Sequence, residues 1–166
     1  MLQTGLDPIV DENSEILILG TFPSAKSLKK KEYYGNNINQ FWKILSCVYG
    51  VEEPRSYADK MHLILQNRFA LWDVYQCAVR EGSADINIVE GEVNDFYDFF
   101  RSHPHVKGIL FGSKGAEKLF AKSCSDLYHE TPHVTVFSPS SAYPKKIEEK
   151  IENWKNCIKI LKELMI

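Results

Sequence analysis

Short apolar runs alternate with longer amphipathic ones along this chain, and the alternation predicts an α/β protein. EILIL, residues 15 to 19, is a β-branched and leucine-rich run closed by Gly20. That is the pattern of a strand buried on both faces of a parallel sheet. FALWDV at 69–74, VKGILFG at 106–112 and HVTVF at 133–137 repeat it. Between the strands the period becomes helical. Phe41, Ile44, Leu45 and Val48 share one face, as do Met61, Ile64 and Leu65 within residues 56–67. Residues 92–102, rich in phenylalanine and tyrosine, and residues 113–124 read as two more helices. Ile147, Ile151, Trp154, Ile158, Leu161 and Met165 step by four and three, which predicts a final helix packed on the core.

Strands alternating with helices imply a parallel sheet covered on both faces. A chain of 166 residues is expected to make one domain, residues 1–166. In such sheets the ligand lies outside the carboxyl ends of the strands. Three loops qualify: GTFPSAKS after the first strand, the polar loop with GSADIN after FALWDV, and SPSSAYPKK after the fourth strand.

The formal charge of −2 gives no global field for nucleic acid, but Lys26, Lys29, Lys30 and Lys31 crowd one stretch and Lys145 and Lys146 another. Local basic patches of this kind can hold phosphate on an otherwise acidic surface. The amino terminus lacks a signal-peptide pattern, and no apolar run approaches the roughly 20 residues that span a bilayer. The expectation is a cytoplasmic protein. Cys47, Cys77, Cys124 and Cys157 form no CxxC pair, so buried free thiols are expected.

Several chemistries are excluded by what is missing. GTFPS matches neither GxGxxG nor the P-loop. A serine hydrolase would want GxSxG and a late histidine, yet no histidine follows His133. His103 and His105 lack a third zinc ligand. The stretch YYGNNINQFW, residues 33–42, is more informative, because it sets aromatic rings beside neutral amides. A ring can stack on a base that has left its duplex, and an amide can hold a water or polarise a leaving group. The pair suits cleavage of an N-glycosidic bond, in which fixed dipoles stabilise a cationic sugar and an anionic base.

The ordered series GTFPS, YYGNNINQFWKIL, LWDV…REGSADIN, FGSKGAEKL and SPSSAYP resembles the uracil-DNA glycosylase superfamily over residues 16 to 146. It is most similar to the hypoxanthine-DNA (deoxyinosine) glycosylase branch, with the mismatch-specific uracil/thymine glycosylases next. The resemblance implies a three-layer α/β/α sandwich with a central four-stranded parallel sheet. It implies a monofunctional glycosylase that needs no cofactor and no metal, working as a monomer on double-stranded DNA with a deaminated base and away from membranes.

Roles follow position by position from the same resemblance. Gly20, Thr21 and Phe22 would lie against the flipped base and sugar, with Ser24 at the DNA. Many relatives place an aspartate or asparagine in this first motif to position the water; Thr21 and Phe22 stand here instead. Asn39, before the FW pair, would then be the catalytic residue, although an N-cap role before Phe41 also suits it. Phe41 would stack on the base and Asp73 would read its edge. Ser138, Pro139, Ser140 and Ser141 would belong to the loop that enters the duplex, and Ala142 or Tyr143 would fill the gap left by the base. Lys145, Lys146 and the amides around Ser113 would hold phosphates. Rival expectations are uracil or thymine opposite guanine as the substrate, a lesion-binding module without turnover, and a hydrolase of free nucleosides.

Overall fold

In the computed structural model, which describes residues 1–166, the chain opens with a short strand, Leu2–Thr4 (β1). It then passes through the centre of the molecule as Ile16–Gly20 (β2), every residue of which is buried. β2 pairs in parallel with Phe69–Asp73 (β3) on one side and with Gly108–Phe111 (β6) on the other. His133–Thr135 (β7) pairs in parallel with β6, giving the order β3-β2-β6-β7. This is the expected four-stranded parallel sheet.

The two-residue period of a strand divides the core into two layers. Ile16 and Ile18 face one side together with Phe69, Leu71 and Leu110. Phe41–Val48 (α2), Tyr57–Gln66 (α3) and Ile147–Leu164 (α7) cover that layer. Leu17 and Leu19 face the other side with Ala70, Ile109 and Phe111, beneath Phe96–Ser102 (α4) and Lys114–Ser123 (α5). Ala25–Lys30 (α1) and Ser125–Glu130 (α6) are short connectors. No helix is long and apolar enough to cross a membrane.

Residues 75–93 depart from expectation. Tyr75–Arg80 (β4) and Ile88–Val93 (β5) form an antiparallel hairpin, and β1 joins it to give a second sheet in the order β1-β4-β5. The helix expected from residue 92 begins only at Phe96, where the Asp95 side chain accepts the Asp98 N–H at 3.0 Å. β5, with the sequence IVEGEV, has no buried residue. Its backbone pairing holds it, so its side chains carry no strand signal. The thiols also divide: Cys77 and Cys124 are buried, whereas Cys47 is exposed.

Trp154 is the largest fully buried side chain, and its Nε1 donates to Phe137 O at 2.9 Å. Trp154→Ala is expected to cost about 3–5 kcal/mol, the usual range for emptying a buried aromatic site. A denaturant titration followed by circular dichroism would measure it.

Candidate base-binding cleft

The loops at the carboxyl ends of β2, β3, β6 and β7 enclose a cleft of about 350 Å³. The segment before α2 and the tip of the β4–β5 hairpin close its sides. A wider groove of about 610 Å³ lies at the amino ends of the strands, lined by Glu15, Arg68, Lys107 and other charged chain-end residues. Strand polarity and the convergence of buried polar groups both favour the smaller one.

Asp73, at the end of β3, forms the floor. Gly20 lies beside it, and a Cβ there would stand 2.6 Å from Asp73 Oδ1 and 3.2 Å from the Tyr34 hydroxyl. Only glycine fits. Asp73 is 6% exposed, and its Oδ2 is buried without a hydrogen-bond partner. Burial, helped by the charge of Asp85 and opposed by Arg80, pushes this carboxyl up to about 7. A buried carboxylate oxygen with nothing to accept from is costly, and it marks a place where a ligand N–H would be held.

The aromatic platform is not the one expected. Phe41 is fully buried and does not line the cleft. One face of its ring is covered by Tyr34, with centroids 4.0 Å apart and planes 9° from parallel. Tyr34 lines the cleft itself and Phe41 backs it, so the member of this stacked pair that reaches the cleft is Tyr34. Tyr34 holds φ at +51°, a left-handed conformation that a bulky residue adopts only where its surroundings impose it. The other aromatics of the stretch are anchors: the Tyr33 hydroxyl donates to Asp7 O at 2.7 Å, and Trp42 Nε1 to Tyr33 O at 3.0 Å.

Asn39 lines the cleft, but it is not the N-cap of α2: that position is Gln40, whose side chain makes no capping bond. Asn39 Oδ1 accepts the Phe41 N–H at 2.9 Å, which leaves Nδ2 without a partner in the protein. The neighbouring residue ties this segment to the loop after β7. Gln40 N donates to Pro139 O at 2.9 Å. Lys150, 1% exposed on α7, donates to Gln40 Oε1 at 2.7 Å and to Ser140 O at 2.8 Å. The lysine is a buried clamp between two cleft walls.

A second buried cation fixes the opposite wall. Arg80 of β4 donates through Nη2 to Pro23 O and through Nε to Gly82 O at 3.1 Å. Its guanidinium carbon lies 5.1 Å from the centre of the Phe22 ring. Nη1 faces Asp85 Oδ1 at 3.5 Å. Partial burial raises the Asp85 carboxyl, while Arg80 and a hydrogen bond from Thr21 oppose that shift.

Of the remaining expected residues, Thr21, Phe22, Ser24, Ser113, Ser138, Pro139 and Ser140 all line the cleft, and Ser141 lines an adjoining recess. Ser24 and Ser113 also cap α1 and α5. Ala142 is exposed near the loop tip. Tyr143 is turned away, its ring 5.7 Å from that of Phe137, and Lys145 Nζ lies over the same Phe137 ring at 5.4 Å, outside the cleft. Tyr34, Arg80, Asp85 and Lys150 were not anticipated. Lys150 had a readable signal, since it falls four residues before Trp154 on the core-facing stripe. Asp85 sits in a loop that strand polarity had already selected.

No protein-family model matches the chain. The hypoxanthine DNA glycosylase of Methanosarcina barkeri is 31% identical over 160 residues, 96% of this chain and 99% of its own. The hypoxanthine DNA glycosylase of Methanosarcina acetivorans is 38% identical over 117 residues, 70% of this chain and 74% of its own. A solution structure from Methanosarcina acetivorans, of a protein provisionally described as a uracil DNA glycosylase, superposes with a TM-score of 0.79 at 32% identity. That match covers 98% of this chain and 99% of the other.

Two outcomes are expected from this geometry. Asp73 holds a proton in the folded state up to about pH 7, whereas an unfolded carboxyl loses it near pH 4. The native state therefore binds more protons across that window, and stability falls as pH rises through it. Asp73→Asn should raise the melting temperature over wild type more at pH 8 than at pH 5; a constant gap would contradict the buried acid. Lys150→Met leaves Gln40 Oε1 and Ser140 O without their donor, at a cost of about 1–3 kcal/mol. Hydrogen exchange should then quicken at residues 36–40 and 138–143 together, while β2 and β6 stay protected.

Proposed function

We infer function from family and cleft together: the chain belongs to the hypoxanthine-DNA glycosylases of the uracil-DNA glycosylase superfamily, and we propose that it releases hypoxanthine from double-stranded DNA. The observation that carries this reading is the unpartnered Asp73 Oδ2 on the cleft floor. Hypoxanthine presents N1–H there, where adenine presents a lone pair.

The nucleotide leaves its stack and its base lies on Tyr34, with Asp73 accepting N1–H. Tyr34 stays a neutral phenol, because burial drives its hydroxyl far above the usual tyrosine value. Asn39 Nδ2 donates to the attacking water and holds it at the sugar. As the C1′–N9 bond breaks, its electron pair stays with the base, and the water oxygen bonds to C1′. The serine hydroxyls of the loop after β7 and the amides at the start of α5 hold the flanking phosphates. The exposed Ala142 is the wedge, since Tyr143 is packed on Phe137. The setting that goes with this reading is base excision repair in the cytoplasm, nucleoid-associated in a prokaryote, with the protein acting as a monomer.

A second reading has one observation in its favour. Uracil and thymine present N3–H to the same carboxylate, so G:U or G:T mismatches fit the Asp73 contact equally. A lesion-binding module without turnover is the alternative set by Thr21 and Phe22.

A single-turnover assay on duplexes carrying hypoxanthine, uracil, thymine opposite guanine or xanthine separates these readings. Wild type should release hypoxanthine, and Asn39→Ala should be slower by roughly 10²-fold or more, the effect of losing one preorganised donor. Tight lesion binding with no release from any duplex would replace the enzyme by the binding module.

A further inference from the structure

Hydrolysis needs a group that takes a proton from the attacking water, and Asn39 cannot be that group. Its Oδ1 is held by the Phe41 N–H, and its free Nδ2 only donates. No histidine lines the cleft; the carboxylates there are Asp73 and Asp85. Asp73 is at the floor and belongs to base recognition. Asp85 comes from the tip of the β4–β5 hairpin, and its side chain is 52% exposed. Its one charged contact stands beside it without consuming it. Arg80 Nη1 neutralises it at 3.5 Å, too long for a strong hydrogen bond. Arg80 is itself fixed by Pro23 O, Gly82 O and the Phe22 ring. Thr21 and Phe22, in the loop after β2, carry no carboxylate, and Asp85 reaches the same wall from a different element.

We propose that Asp85 is the catalytic carboxylate of this cleft: it takes the proton of the water held by Asn39 and faces the cationic sugar as the base departs. The proposal rests on the glycosylase reading. The water oxygen bonds to C1′ as the C1′–N9 bond breaks; Asp85 receives one water proton, and the departing base anion takes up one proton from solvent. Asp85 then returns its proton to solvent, so the sum is nucleotide plus water giving an abasic sugar and the free base. The charged and titratable groups facing Asp85 are Arg80, Asp73 and the Tyr34 hydroxyl.

The test uses the full chain on a hypoxanthine duplex, comparing wild type, Asp85→Asn and Asp85→Ala in single turnover. Melting temperature and affinity for a duplex with a non-cleavable nucleotide analogue are measured alongside. Asp85→Asn keeps shape and polarity and should lose about 10²–10⁴-fold in rate, the range for general-base catalysis, with affinity changed less than roughly threefold. Added formate should restore part of the Asp85→Ala rate, which a merely structural contact would not allow. Asp85→Asn within about threefold of wild type would overturn the proposal. So would a rate loss in Asp85→Ala that formate leaves untouched, since Asp85 would then be only a latch for Arg80. An inactive wild type sinks the glycosylase reading itself, which sets that failure apart from both others.

Discussion

The cleft depends on one guanidinium. Arg80 is buried where an isolated cation would be prohibitive, and it is tolerated because two carbonyls, an aromatic face and two carboxylates surround it. Through Pro23 O it fixes the turn after β2, and through Gly82 O it fixes the end of its own hairpin. Its charge opposes the upward drift of both Asp73 and Asp85. Removing it would take away the positive charge that opposes both upward shifts, and the buried Asp73 would hold its proton to still higher pH.

Lys150 does the corresponding work on the other side. Loops beyond the ends of parallel strands have no ladder to pair with, so their position must come from side chains. Lys150 joins the Asn39 segment to the Ser138–Ser140 loop through two short charge-assisted hydrogen bonds. The groups that would hold the water and those that would hold the phosphates are therefore tied together by this lysine and by the Gln40 N–H to Pro139 O. With Arg80 opposite, the cleft has a buried cation in each wall and open polar groups between them. This is preorganisation, in which donors and charges are placed before the substrate arrives.

Much of this was legible in the sequence because burial writes itself into hydrophobic period. β2, β3 and β6 are apolar on both faces, and α7 repeats its stripe over 18 residues. Strand polarity then placed the cleft, and most of the residues expected there line it. The failures have physical causes too. β5 has no buried residue and was invisible to pattern. Tyr34 and Phe41 are both aromatic and seven residues apart, and the sequence pattern does not say that they stack with Tyr34, in a left-handed conformation, on the cleft side. Asp85 and Arg80 are five residues apart in sequence, yet their contact requires a hairpin that the apolar pattern did not show.

The chemistry of Asp73 limits how selective such a cleft can be by itself. An ionised carboxylate accepts from hypoxanthine N1–H and from uracil N3–H, and it meets the lone pair of adenine N1 head-on. Adenine is thereby disfavoured above about pH 7, where Asp73 is ionised, whereas the protonated carboxyl at lower pH can donate to adenine N1. Thymine and guanine also carry an N–H beside a carbonyl, so this contact alone does not refuse them. Their exclusion has to arise before the base reaches the floor. A base in a Watson–Crick pair costs more to extrude than one in a wobble or mismatched pair. A cleft that reads only one N–H is then sufficient, because the duplex has already sorted most normal bases from damaged ones. On the proposed reading, selectivity against adenine would belong to Asp73 and selectivity against thymine and guanine to the stability of the pair, so the two would be separable. Asp73→Asn turns an acceptor into a group that can also donate, and it relaxes only the first.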